Sequence, residues 1–122
     1  VQIGSGFLRC PEAAIHPAWA AALARIAPEE TVVSRVFSGR AGRSVATDYT
    51  RGAMASDAPI PAPYPVQRGL TATMRADAIR SGNVHGMQVW AGQSARLGRD
   101  QSAGQYATDI WNEAVSLLGQ GY

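Results

Sequence analysis

The chain has 122 residues, 46% of them apolar, and eleven basic residues against nine acidic ones give it a formal charge of +2. That composition is globular and sufficient for a small core, and no apolar run reaches the roughly 18 residues that span a bilayer. Every basic residue is an arginine and none forms a block, which argues against a nucleic-acid partner, while the single cysteine, Cys10, excludes an internal disulfide and a cysteine-rich metal site.

In chain order, Val1 and Ile3 read as a buried strand and Gly4-Ser5-Gly6 as a turn. Glycine has no Cβ, so a phosphate can approach the main chain and take hydrogen bonds from several amides and from the Ser5 hydroxyl. An ordinary turn is the competing reading, because no lysine follows to make a P-loop. The chain opens on Val inside that strand with no cap or turn before it, so its start reads as a cut.

Cys10 to Ile15 reads as a helical turn that stops at His16-Pro17, since a residue before proline avoids the α region. Pro17 suits the first position of a helix to about Ala27, with Trp19, Leu23 and Ile26 on one core-facing stripe. Thr31 to Phe37 is rich in β-branched residues and predicts an extended segment, followed by a loop over 38–43. Val45 and Tyr49, four apart, give weak helical character from Arg43 to about Met54. Prolines at 59, 61, 63 and 65 make 56–65 a stiff connector. The spacing of Leu70, Met74 and Ala78 predicts a helix from about Val66 to Ile79, stopped by Ser81-Gly82-Asn83. Residues 84–92 read as irregular around Trp90, and 94–97 as a turn. Ser102 caps a last helix to about Leu118, with Tyr106, Ile110, Ala114 and Leu117 on one face.

Four blocks stand in order across nearly the whole chain. They are Gln2-Ile3-Gly4-Ser5-Gly6-Phe7-Leu8 with Cys10-Pro11-Glu12-Ala13, Thr31-Val32-Val33-Ser34-Arg35-Val36-Phe37-Ser38-Gly39-Arg40, Tyr64-Pro65-Val66-Gln67 with Leu70-Thr71, and Val89-Trp90-Ala91-Gly92-Gln93. Together they resemble the carboxyl-terminal part of the nitronate monooxygenase family, also called 2-nitropropane dioxygenases.

The resemblance implies an α/β fold: the C-terminal part of an FMN-binding TIM (β/α)8 barrel joined to a mainly helical C-terminal segment, an incomplete and helix-dominated domain. Such a barrel needs about 250 residues. Residues 1–122 are therefore expected to be one fragment, with the last barrel strand and phosphate loop at 1–8, the proline-rich connector at 56–65 and the helical segment at 66–118. The rest of the barrel would lie upstream of Val1, and the piece alone would be poorly stable.

The family pattern implies that Gln2, Ile3, Gly4 and Ser5 bind FMN, chiefly through main-chain N–H groups to its phosphate, with Ser5 where the family usually has threonine. It places Tyr64 and Gln67 at the mouth of the substrate pocket. The competing reading is that Tyr64 packs on the barrel rim and Gln67 caps a helix. No catalytic residue and no metal ligand is expected in this chain, since the family's catalytic histidine belongs to an earlier strand. His16 and His85 lack a partner at metal or triad spacing and read as loop histidines.

The implied activity is FMN-dependent oxidation of alkyl nitronates by dioxygen to a carbonyl compound and nitrite, in a cytoplasmic enzyme. Its partners would be a small nitronate and dioxygen, with neither nucleic acid nor membrane. One alternative is an FMN-dependent NADH:quinone or enoyl reductase on the same scaffold, because one barrel hosts many reactions. Another is a small helical binding domain without a cofactor.

Overall fold

Pro17 opens the first α-helix, α1 (Pro17–Arg25), in the computed structural model, which describes residues 1–119. The His16 ring caps it: Nδ1 accepts the Ala18 N–H at 3.1 Å, which satisfies one of the amides that a helix start leaves without a partner. The stripe expected on this helix is the one that packs. Leu23 and Ile26 are buried in one cluster with Ala78, Met87, Val89, Ala91 and Ala95, and Trp19 lies against it.

Two strands follow, β1 (Thr31–Ser34) and β2 (Gly42–Val45), antiparallel from Thr31 opposite Val45 to Ser34 opposite Gly42. The extended segment expected to reach Phe37 stops at Ser34, because the chain turns at Gly39, whose N–H donates to the Arg35 carbonyl at 2.8 Å. The helix expected from Arg43 is corrected as well: Arg43–Val45 is strand, and helix α2 (Asp48–Ala53) begins only after Thr47. The cause is tertiary. The β2 backbone is bonded on its second edge too, with Val45 N–H donating to Val89 and Ala91 N–H donating to Arg43. Residues 89–91, read as irregular, thus line the far side of β2, and a ladder on one flank with a bridge on the other outweighs a weak helical preference.

The proline connector holds no helix or strand, with turns at 56–57 and 64–65, and its Tyr64–Pro65 peptide is cis. The single helix expected over 66–79 is two, α3 (Val66–Leu70) and α4 (Ala72–Ser81). Thr71 breaks them: its hydroxyl donates to the Phe37 carbonyl at 2.6 Å, a tie to the loop after β1. Gly82, at φ +68°, closes α4 in the left-handed conformation that favours glycine.

The last helix, α5 (Ala103–Gly119), starts where the sequence places it. Ser102 Oγ accepts the Gln105 N–H at 3.2 Å, and Glu12 Oε1 accepts the Ala103 N–H at 3.0 Å. Tyr106 is buried edge-on against Phe7, with ring centroids 5.0 Å apart. Ile110 is half-buried, but beyond it the expected face goes unused: Ala114 and Leu117 are exposed, and off that face so are Trp111, Val115 and Leu118. Leu70, which helped to predict the 66–79 helix, is exposed too.

Residues 1–3 do not form the buried strand. Val1 and Ile3 face solvent and make no ladder bond, because a strand needs a neighbouring edge and none stands beside them among the described residues. With so much large apolar surface exposed for a core this small, the isolated 122-mer is expected to melt without a cooperative calorimetric peak. A sharp two-state transition in scanning calorimetry of the monomer would contradict this.

Candidate functional site

The chain turns at Ser5–Arg9 into a short 3-10 segment, and Gly4, Ser5 and Gly6 are the residues whose N–H groups find no protein acceptor there. The turn is fastened from behind. Ser5 Oγ accepts the Gly92 N–H at 2.8 Å, which leaves its own hydrogen free to donate. Gly6 is buried where a Cβ would come within 2.7 Å of the Tyr106 hydroxyl. Arg9 Nη1 donates to the Gly98 carbonyl at 2.6 Å. The side closest to solvent is Gly4, which is exposed.

Gly4 has φ −92° and ψ −66°, a conformation open to any residue, and a Cβ there would meet nothing within 4 Å. Neither backbone geometry nor the chain's own packing calls for glycine at this position. Three consecutive unpaired amides, one free hydroxyl hydrogen and open space above Gly4 are a donor set that fits a phosphate. Gln2 and Ile3 are exposed beside it.

Tyr64 and Gln67 sit in a second group, built by the loop after β1. Gln67 Oε1 accepts the Ala62 N–H at 3.0 Å, and its Nε2 donates to the Val36 carbonyl at 2.7 Å, where the Tyr49 hydroxyl also donates at 3.0 Å. Burial raises the Tyr49 pKa, with the Gln67 hydrogen bond pulling the other way, so the phenol stays a donor at neutral pH. Both ends of the Gln67 amide are thus bonded to main chain, and the side chain clamps the connector. Gln67→Leu would leave the Ala62 donor without its partner at a cost of about 1–3 kcal/mol. A lowered denaturation midpoint in the full-length protein is the expected measurement.

The Tyr64 ring is 45% exposed, and the Arg40 guanidinium stands 4.0 Å above its centroid. Gly39, at φ +86°, packs directly under the main chain of Ala62, Pro63 and Tyr64. Arg40 was visible in the sequence only as part of the second matching block, with no role attached. No hydrogen bond or ring contact joins this group to the opening turn among the described residues.

The remaining candidates fall away on geometry. His16 is engaged as a helix cap, and His85 Nδ1 lies 3.0 Å from the exposed Asp48 carboxylate. Cys10 is buried, and burial first, then Glu12 and Asp100, raises its thiol pKa, the wrong direction for a nucleophile. No group of metal-ligating side chains occurs among the described residues, and no helix there is long and apolar enough to cross a membrane.

Residues 1–113 match the family model described as nitronate monooxygenase. A probable nitronate monooxygenase of Staphylococcus haemolyticus is 30% identical over 118 residues, covering 97% of this chain and 33% of the relative. The nitronate monooxygenase of Paraburkholderia phytofirmans is 30% identical over 119 residues, covering 98% of this chain and 32% of its own length. Among solved structures, the nitroalkane oxidase of Streptomyces ansochromogenes superposes with a TM-score of 0.83 at 30% identity, over 96% of this chain and 34% of that one. FabK of Thermotoga maritima gives 0.73 at 23% identity, over 98% and 38%, a likeness of fold alone. The chain spans about a third of the length of these proteins, and the helix-rich unit with one small sheet is part of an α/β TIM-barrel enzyme fold. With a family model matched over nearly its whole length, the chain belongs to the nitronate monooxygenase family.

Proposed function

We propose that the full-length protein oxidises alkyl nitronates with dioxygen, releasing a carbonyl compound and nitrite, and that this chain holds the phosphate of an FMN and part of the substrate rim. The observation that carries the reading is the run of unpaired amides at Gly4, Ser5 and Gly6 beside a glycine that the chain's own packing does not require. FMN, when bound, supplies the redox chemistry, and the protein supplies position and charge.

In this reading the Gly4, Ser5 and Gly6 N–H groups point-bind the phosphate oxygens and the Ser5 hydroxyl donates one more hydrogen bond. Gly92, by occupying a lone pair of that hydroxyl, fixes which way its hydrogen points. Gln2 and Ile3 flank the phosphate. Tyr64 offers its hydroxyl to a nitronate oxygen, with Arg40 over the ring adding positive charge near an anionic substrate. Gln67 acts at one remove by holding the connector that carries Tyr64. The proton-transferring histidine comes from residues outside this chain.

The test is made on the full-length protein. Flavin released on denaturation should run as FMN in chromatography, and oxygen uptake should depend on propionate 3-nitronate. NADH consumption with a quinone and no turnover of nitronate would replace this reading by that of a flavin reductase. A protein that takes up no flavin would replace it by that of a cofactor-free binding domain.

A further inference from the structure

A cleft of about 450 Å³ opens between α1 and α4, and none of the residues assigned above to flavin or nitronate is in its lining. Its polar lining consists of hydrogen-bond donors: Arg68, Arg75, Gln88 and His16, with no carboxylate among the lining residues. Trp19 and Trp90 form its apolar wall, Trp19 Nε1 donating to the Trp90 carbonyl at 3.2 Å.

Arg75 is aimed and held. Its Nε donates to Thr71 Oγ1 at 3.2 Å, Nη2 to the Arg68 carbonyl at 2.9 Å and Nη1 toward Gln88 Oε1 at 3.5 Å. A guanidinium has five N–H donors, so two remain. No carboxylate pairs with Arg75 or Arg68 among the described residues. Burial, then the neighbouring Arg68, lowers the Arg75 pKa, the direction of a charge short of its counterion.

Gln88 adds the second observation. Its Nε2 is buried and has no hydrogen-bond partner. Turning the amide over would set its NH2 against the Arg75 N–H groups, donor against donor, so the orientation is chemically determined and the orphan is a donor. Buried donors are as a rule satisfied, and this one is left without a partner in a residue that lines the cleft. His16 points the same way: with Nδ1 accepting from Ala18, the hydrogen of the neutral ring sits on Nε2.

We propose that this cleft binds a small organic carboxylate with a flat apolar body, the carboxylate across Arg75 and Gln88 and the body against Trp19 and Trp90. One oriented guanidinium edge matches the planar, two-oxygen geometry of a carboxylate. Two indoles provide stacking faces for a ring.

The probe is benzoate, titrated calorimetrically into the full-length protein. Binding with a Kd on the order of 1 mM or tighter is expected, with benzyl alcohol at least tenfold weaker and inorganic phosphate failing to compete. In Gln88→Glu the new carboxylate occupies Arg75 from within the protein, and benzoate affinity should fall at least tenfold while flavin absorbance is retained. Arg75→Lys keeps the charge but loses the paired edge, and should weaken benzoate similarly if Gln88→Glu fails to fold. The proposal is overturned if the wild-type protein does not bind benzoate, if benzyl alcohol binds as well, if phosphate displaces the probe, or if binding survives in a folded variant. None of these readouts depends on nitronate turnover, so the two readings fail separately.

Discussion

Gly4→Glu is expected to lower the affinity of the full-length protein for FMN about a hundredfold while leaving the apo-protein's thermal midpoint unchanged. The side chain would stand in open space, since a Cβ at Gly4 meets no heavy atom within 4 Å and the backbone there suits any residue. It therefore disturbs no packing, yet it places a negative charge over the amides that the proposed reading gives to a phosphate. Like charges set against each other in a binding site cost several kcal/mol, and about 2.8 kcal/mol is a factor of a hundred. Gly4→Ala should fall between the two proteins. Gly52 is the control, another glycine with nothing near its missing Cβ, and Gly52→Glu should keep its flavin. Equal flavin content in the Gly4 and Gly52 variants, measured by absorbance per protein, would remove the phosphate from this turn.

Gly39→Val is expected to show the opposite pattern, keeping flavin and losing turnover. At φ +86° an L side chain is strained, by about 1–2 kcal/mol. The added atoms would also fall onto the main chain of Ala62, Pro63 and Tyr64, which cannot rotate aside as a flexible side chain would. Overpacking of this kind adds about 1–3 kcal/mol. The relief available is to push the connector outward, which carries Tyr64 away from Arg40 and stretches the Gln67 bond to Ala62. Nitronate kcat/KM in the full-length variant should drop at least tenfold with FMN still bound, and the denaturation midpoint should fall. A variant with unaltered turnover would show that Tyr64 does not face the substrate.

Where local chemistry decides, the sequence is a sufficient guide. Pro17 and Ser102 start helices because a proline ring and a serine hydroxyl act within three residues of themselves, and both helices begin where expected. Where distant segments decide, it is not. Arg43–Val45 becomes strand through bonds to residues 31–34 on one side and 89–91 on the other, and Thr71 ends a helix through a carbonyl at Phe37. The opening strand and the far end of α5 fail for a related reason: their apolar residues are exposed, because among the described residues nothing stands against them. Of the candidate site, the Gly4–Ser5 turn was legible as glycine chemistry and through family resemblance, and the matching of residues 1–113 bears out the family. Arg40 over Tyr64, and the Arg75–Gln88 cleft, are assembled from segments far apart in sequence, and no spacing rule connects them.

The two parts of the candidate site lean on different supports. Ser5 rests on Gly92 and Gly6 on Tyr106, whereas Tyr64 rests on Gly39 and, through Gln67, on Val36. On the proposed function, natural variation can therefore reshape one without loosening the other: drift around residues 36–40 and 62–67 would re-tune what the proposed entrance admits, while the proposed phosphate anchor would keep its grip. A scaffold divided in this way is free to acquire new specificities by small steps.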